Sequence, residues 1–363
     1  MNDNRIVPRD SAVYQEVARL YLAARSMRPT GADRWNGDLY ATDTRRWGGF
    51  NPMTGAIRLS ERNVLQHLTG STSELFPRQQ AQALATVLHE STHAGMETDA
   101  SLEPNAVRTV HSEGLMEGFA ELRTVEDFEA FSWRAGYPGL TMSEPQYPGA
   151  FAATESLMVQ VAGPRLNREA IITAGTQGPV VMHFDQLAEA VVRNRLGEVV
   201  PEREVDRVRV RAALIGTMTH EHWPTLPDRS AETGQAVAED IRRALNAKVD
   251  EIRRHYRANP ARPFPADPPN AEAARIAVQE VPAATAEARR AGADTRDAVA
   301  EAGGAGVEVR GEMRFLSGQA AAALATRHVP ALGDGARGAG AVRVPGARRA
   351  SAARPGPTHP GRQ

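Results

Sequence analysis

Apolar residues recur at helical spacing in two segments of the N-terminal third of the chain. Residues 78–94 contain no glycine or proline, and Pro77 stands where a first-turn proline is tolerated, so a helix is predicted there. Residues 11–27 are predicted to form an amphipathic helix, because apolar side chains fall three and four positions apart at Val13, Val17, Leu20, Tyr21 and Ala24.

A strand pattern lies between these two helices. Ile57 and Leu59 alternate with polar residues, and the turn signal Thr54-Gly55 precedes them. Residues 45–64 are therefore predicted to form strand, turn and strand, with a short helix after them.

The C-terminal half changes character twice. From residue 151 to about 259 the periodicity is helical, which predicts a helical subdomain. Beyond residue 259 the composition shifts to Ala, Arg, Gly and Pro, and no aromatic residue follows Phe315. We therefore expect one folded domain over residues 1–258, with the sheet and second helix at about 28–95 and the helical subdomain at about 96–258. Residues 259–363 are expected to be a largely disordered tail.

Composition limits the chemistry that the chain can perform. It contains no cysteine, so disulfides, thiolate catalysis and cysteine-ligated zinc are excluded, and any metal must be held by His, Asp or Glu. Lys and Arg total 43 against 44 for Asp and Glu, which argues against nucleic-acid binding by the folded domain. The tail is basic after Asp334, so a weak contact with nucleic acid stays open for that segment.

The chain shows no targeting or membrane-spanning segment. The N-terminus lacks an apolar stretch of signal-peptide length, and no later run approaches ~18 uninterrupted apolar residues. We expect a cytoplasmic protein without membrane contact. Export by a route that needs no cleaved signal stays open.

The second predicted helix carries the string HESTH. Leu84 and Leu88 share one face of this helix, and His89 and His93 lie nearly opposite at about 100° per residue. Two imidazoles one turn apart can bind one metal ion through neutral nitrogens. Glu90 is rotated by about 100° from His89, so it is expected to flank the metal rather than bind it.

A second string, HSEGLMEGFAEL, supplies candidates for a third ligand. Glu113, Glu117 and Glu121 lie four positions apart on one helical face, opposite an apolar face. Carboxylates stacked in this way repel one another unless they are solvated or share a cation. A solvated acidic face is the alternative reading of the same pattern.

These strings resemble the gluzincin zinc metallopeptidases of the zincin-like superfamily, which carry HExxH on one helix and a glutamate ligand on the next, often within EGxAE. The resemblance covers about a fifth of the chain, over residues 49–124. It implies that His89, His93 and Glu117 bind one zinc ion, that Glu90 is the general base, and that Glu121 hydrogen-bonds a ligand histidine. It also implies an α+β zincin-like fold with a small antiparallel sheet.

The chemistry of such a donor set is peptide hydrolysis of a protein or peptide substrate. Zinc held by two imidazoles and a carboxylate keeps an open position for water and polarises a carbonyl, while Glu90 takes the proton from that water and passes it to the leaving amine. The strand at residues 56–60 is expected to be the sheet edge against which an extended substrate pairs.

Several residues are alternatives or additions to this site. Asp99 falls six residues after His93, where metzincin-like enzymes carry their third ligand, but Met96 replaces the glycine that those enzymes need. Tyr147 resembles tyrosines that stabilise an oxyanion in related enzymes, although a tyrosine packed at a turn has the same pattern. His111 could also face the cleft, although a lone histidine near a helix start more often caps the helix at the surface. A second metal at His220 and His222 lacks a third ligand.

Two hypotheses of other classes accompany the zinc-peptidase interpretation. The first is a metal-binding effector or interaction protein that does not turn over substrate. The second is a structural helical protein in which HExxH arose by chance. The presence of Glu90 favours the enzyme over the non-catalytic protein, and the EGFAEL string favours a metal site over chance.

Overall fold

The computed structural model describes residues 4–44 and 46–270, which form a mostly helical α+β fold with one four-stranded sheet. The α+β class expected from the sequence is therefore confirmed. The strands are β1 (Arg5–Ile6), β2 (Leu39–Thr42), β3 (Gly48–Phe50) and β4 (Ile57–Ser60). The helices are α1 (Ala12–Met27), α2 (Pro77–Ala94), α3 (His111–Arg134), α4 (Pro148–Val161), α5 (Arg168–Gln177), α6 (His183–Val191), α7 (Glu204–Met218) and α8 (Ala231–Ala258).

The sheet is mixed, so the prediction of a small antiparallel sheet is wrong. Its strand order is β1-β2-β4-β3, and the β2–β4 pair is parallel while the outer pairs are antiparallel. After β2 the chain crosses to the far edge of the sheet, where it forms β3. The turn after β3 then brings the chain back as β4, which lies between β3 and β2. Gly55 makes this turn possible, because its φ is +75° and a Cβ would lie 2.3 Å from the Arg34 carbonyl oxygen.

The position of β4 also corrects the expected substrate edge. Residues 56–60 include β4, which has a neighbour on each side and cannot accept another strand. The free edge next to α2 belongs to β3, which pairs only with β4 among the described strands. Any extended ligand that adds to the sheet on this side would pair with β3.

Two apolar cores lie on either side of α3. The first is formed by α1, α2 and the sheet, and the second by α4 to α8. Helix α3 belongs to both, since Phe119 and Leu122 of its first half pack in the second core and Phe128 and Phe131 pack in the first. The helix therefore fixes the two parts of the fold to each other, and the face of α2 that carries HESTH meets α3 at this junction.

The folded part extends past the end of α8. Phe264 is buried in the second core, and its backbone N–H donates a hydrogen bond to the hydroxyl of Tyr256. Residues 259–270, where the sequence predicts the start of a tail, therefore pack on the helical part of the fold. The remainder of the predicted tail, residues 271–363, lies outside the described residues. Within residues 4–44 and 46–270, no helix has both the length and the apolar character needed to cross a bilayer.

Gly234→Ala is expected to lower the free energy of unfolding by about 1–3 kcal/mol, because α8 meets the first turn of α4 backbone against backbone. A Cβ on Gly234 would lie 2.1 Å from the carbonyl oxygen of Gly149, which cannot move independently of its helix. Urea unfolding would measure the loss.

Gly216→Ala is the matched control for this substitution. Gly216 also lies inside a helix, α7, but it is exposed and a Cβ there would contact nothing within 4 Å. The Gly216→Ala substitution should stabilise the protein by about 0.5–1 kcal/mol, because alanine has the higher helix propensity. Equal stabilisation by both variants would contradict the close approach of α4 and α8.

Candidate metal centre

Helix α2 places two imidazoles side by side at the junction of the cores. His89 and His93 are one turn apart, and both side chains are buried. Their Nε2 atoms are 2.9 Å apart, and the two rings are nearly perpendicular. Helix geometry alone produces this pairing, because residues four apart lie one above the other on the same face.

Helix α3 supplies a carboxylate to the same point. Glu117 Oε2 lies 3.0 Å from His89 Nε2 and 3.2 Å from His93 Nε2. The three atoms form a nearly equilateral triangle, and these residues are the group of His and acidic side chains in the described structure that could hold a metal ion. They are the three residues that the sequence predicted as ligands.

When both imidazoles are neutral, as metal binding requires, the contacts around the triangle leave its lone pairs pointing at one another. His89 Nδ1 lies 3.0 Å from Glu121 Oε2, so the proton of a neutral His89 belongs on Nδ1 and its Nε2 presents a lone pair. With the Nδ1–H form of His93 as well, two nitrogen lone pairs and a carboxylate oxygen would face one another. A cation satisfies all three acceptors at once, and tetrahedral zinc ligands lie about 3.3 Å apart, close to the distances here. The donor set therefore fits a metal ion.

Glu121 is held in place behind His89. It is fully buried, and its Oε1 accepts a hydrogen bond of 2.7 Å from the backbone N–H of Gln146. Its Oε2 lies beside His89 Nδ1 without the alignment of a full hydrogen bond, and neither atom has another partner among the described residues. A carboxylate behind a metal-binding histidine fixes the ring and raises its basicity.

The charges of the centre shift one another strongly. Burial alone would lower the pKa of His89, but Glu117 and Glu121 raise it well above its usual value. Burial alone would raise the pKa of Glu117, but His93 and His89 lower it well below the usual carboxyl range. In both cases the neighbouring charges outweigh desolvation.

Glu90 faces the cleft beside the triangle but is not one of its corners. Its side chain is 2% exposed, and burial raises the pKa of its carboxyl group. The backbone of Phe50 on β3 lies near this carboxylate and favours its charged form, which opposes the effect of burial. Glu90 is thus positioned between the sheet edge and the triangle, in the flanking place predicted from the helical wheel.

Gly48 is a site residue that lies outside both the HESTH and the EGFAEL strings. A Cβ at this position would lie 2.7 Å from both Glu90 Oε1 and Thr86 Cγ2, so only glycine lets β3 approach α2 this closely. The Gly48-Gly49 pair within a predicted strand was the available signal, since glycine in a strand interior often marks a close approach of backbone or ligand.

A cleft of about 400 Å³ opens over the centre. Glu90, His93, Glu117 and Tyr147 all line it. The ring of Tyr147 lies 5.1 Å from that of His89, and burial raises the pKa of its hydroxyl above the usual tyrosine value. Tyr147 is therefore beside the centre and protonated at neutral pH, able to donate a hydrogen bond into the cleft.

Three other candidates lie away from the triangle. Asp99 is exposed, forms an ion pair with Arg108 at 2.9 Å and is not part of the group formed by His89, His93 and Glu117. His111 begins α3 and interacts with Thr109 through Nδ1. The rings of His220 and His222 are 5.2 Å apart, and the pair belongs to no ligand group within the described part of the chain.

Acidification is expected to destabilise the protein through His183, which packs against Phe119 under the centre. Its Nε2 donates to the Gly175 carbonyl oxygen at 2.7 Å, its Nδ1 has no partner among the described residues, and burial lowers its pKa to about 4. An unfolded histidine has a pKa of about 6.5, so the unfolded chain takes up a proton first as the pH falls. The contribution of His183 to the free energy of unfolding is complete above pH ~6.5 and declines by about 3 kcal/mol towards pH ~4.

His183→Gln should lose less stability than the wild type over this pH interval. Urea unfolding at several pH values and one free metal concentration would measure the difference between the two proteins. His111→Gln removes a half-buried histidine at the start of α3 and should follow the wild type. Parallel pH profiles for wild type and His183→Gln would contradict the expectation.

No family model, curated protein or solved structure matches the chain. The chemistry of the centre is therefore inferred from its own donor atoms, their burial and the cleft above them.

Proposed function

We propose that the chain is a zinc-dependent peptidase with a zincin-like fold of the gluzincin kind. His89, His93 and Glu117 would hold one zinc ion, and Glu90 would be the general base. The observation that carries this proposal is the convergence of three acceptor atoms, 2.9–3.2 Å apart, at a cleft that Glu90 also lines. Two nitrogens and one carboxylate oxygen form a known catalytic zinc set.

Zinc, when bound, supplies positive charge that polarises a peptide carbonyl and acidifies water. The protein's own groups would transfer the protons and stabilise the oxyanion. Glu90 would take a proton from the attacking water and deliver it to the amine nitrogen as the C–N bond breaks. Its buried carboxylate has a raised pKa, which makes it a stronger proton acceptor than an exposed glutamate. Tyr147, which lines the same cleft, would donate a hydrogen bond to the developing oxyanion.

Metal analysis of the purified protein tests the zinc site. One zinc per chain is expected in the wild type, with most of it lost in His93→Ala and Glu117→Ala, because each variant removes one of three ligands. Asp99→Ala is the matched acidic control and should retain the ion, since Asp99 pairs with Arg108 instead. Loss of zinc in Asp99→Ala but not in Glu117→Ala would overturn the choice of third ligand, and stoichiometric iron would overturn the choice of metal.

Turnover separates the enzyme from a metal-binding effector. A peptide-library cleavage assay on the zinc-loaded protein should give products, and the same assay after chelation should not. A protein that binds one zinc per chain and cleaves none of the library would contradict the peptidase and favour the non-catalytic alternative.

A further inference from the structure

The cleft above the metal centre has two unlike walls. The sheet side carries three arginines, Arg34, Arg46 and Arg58, which are called the basic wall here. The helical side carries Met96, Met116 and Val180. Since the chain as a whole has a formal net charge of −1, this grouping of guanidinium groups is a local feature of the cleft.

Arg58 is the least neutralised member of the basic wall. It is exposed on the outer side of β4, between Ile57 and Leu59, which are buried in the first core. Within residues 4–44 and 46–270 its guanidinium has no hydrogen bond or ion pair. Its neighbours across the strands are Tyr40 on β2 and Gly49 on β3, and an added Cβ at Gly49 would contact nothing within 4 Å. Open space therefore lies beside an unpaired positive charge.

The other two arginines are only weakly compensated. Arg46 lies 3.7 Å from Asp228, and the side chains are 77% and 71% exposed, so water screens this pair. Arg46 is also close enough to Tyr147 for its charge to oppose the effect of burial on the pKa of that hydroxyl. Arg34 donates to the carbonyl oxygen of Pro52, which is a neutral acceptor.

The acidic groups of the cleft do not neutralise the charge of the basic wall. Glu90 and Glu117 are the carboxylates that line it, and both interact at the metal centre. Unpaired guanidinium groups beside a reaction centre favour an anionic ligand, and guanidinium fits a carboxylate with two parallel hydrogen bonds. The basic wall therefore has no anionic partner of its own in the cleft, and a carboxylate of the ligand would supply one.

We propose that the basic wall binds a carboxylate of the peptide substrate, so that the protein selects acidic peptides. This inference rests on the proposed peptidase function and specifies its substrate class. The carboxylate has two possible sources, an Asp or Glu side chain and the free C-terminus, which share the same recognition chemistry.

The test compares peptides that differ only in charge. A neutral peptide with an amidated C-terminus would be scanned with one Glu at each position, and the same scan would be made with Gln. A third set would carry Gln and a free C-terminal carboxylate. For the zinc-loaded wild type, kcat/KM should be about tenfold higher for at least one Glu peptide than for its Gln twin. A preference confined to the free-acid set would identify the C-terminus as the source.

The arginine variants assign the preference to the wall. Arg58→Gln should raise KM for the acidic peptide, leave kcat nearly unchanged and reduce the preference towards one. Arg257→Gln removes the same charge from an exposed site on α8 outside the cleft, and it should keep the preference. If wild type and Arg58→Gln cleave the Glu, Gln and free-acid peptides at equal rates, the inference fails while the peptidase function stands.

A binding measurement keeps the two proposals distinguishable. Fluorescence anisotropy with labelled peptides would be measured on zinc-loaded Glu90→Gln, in which hydrolysis is removed. The preferred Glu peptide should bind about tenfold more tightly than its Gln twin, and Arg58→Gln added to this variant should abolish the difference. If no peptide is cleaved by the wild type, the peptidase function fails, and equal binding of the Glu, Gln and free-acid peptides then overturns the selectivity for a carboxylate as well.

Discussion

Glu90→Gln is expected to lower kcat for peptide hydrolysis by a factor of about 10²–10⁴ while leaving the bound zinc in place. The substitution keeps the size of the side chain and removes the group that accepts the proton. Glu90 is not a corner of the ligand triangle, so the ion should stay with His89, His93 and Glu117. Steady-state kinetics and metal analysis on the same preparation would measure both quantities.

Glu113→Gln is the matched control. Glu113 is an exposed residue one turn before Glu117 on α3, and its replacement makes the same change in charge. Its activity should equal that of the wild type. If Glu90→Gln retains full activity with its zinc, another group is the base; if it loses zinc together with activity, Glu90 acts on the ion rather than on the proton.

The local part of the site could be predicted from sequence because it depends on helix periodicity. His89 and His93 are four residues apart on one helix, and Glu117 lies on the next helix in a string of similar spacing. A period of 3.6 residues fixes which side chains share a face before any tertiary contact is known. The α2 boundary differs from the prediction by a single residue, since the helix begins at Pro77.

The sheet was harder to predict because its strands are short and depend on their partners. β1 has two residues, and β2 has four with three of them buried, so neither shows the alternation of a half-buried strand. The parallel β2–β4 pair joins strands that the chain visits before and after β3. Local pattern carries no information about such a crossing, which explains why an antiparallel sheet was expected.

The basic wall could not be read from the sequence for a related reason. Arg34 and Arg58 are far apart in the chain, and arginine is common throughout it. Only the return of β4 beside β3 places Arg58 over the cleft that α2 and α3 complete. The sequence indicates the metal chemistry, and the tertiary structure supplies the hypothesis about substrate.

Removing the metal is expected to lower the free energy of unfolding by about 4 kcal/mol when free zinc exceeds its dissociation constant about a thousandfold. The folded state brings His89, His93 and Glu117 together at the α2–α3 junction, and the unfolded chain does not, so an ion that binds there stabilises the folded state. Urea unfolding with zinc buffered at fixed levels, compared with excess chelator, would measure the difference. His93→Ala should unfold at the same urea concentration in both conditions, whereas His220→Ala, which alters a histidine pair outside the centre, should respond as the wild type does. Identical unfolding of the wild type with and without zinc would contradict a metal held between α2 and α3.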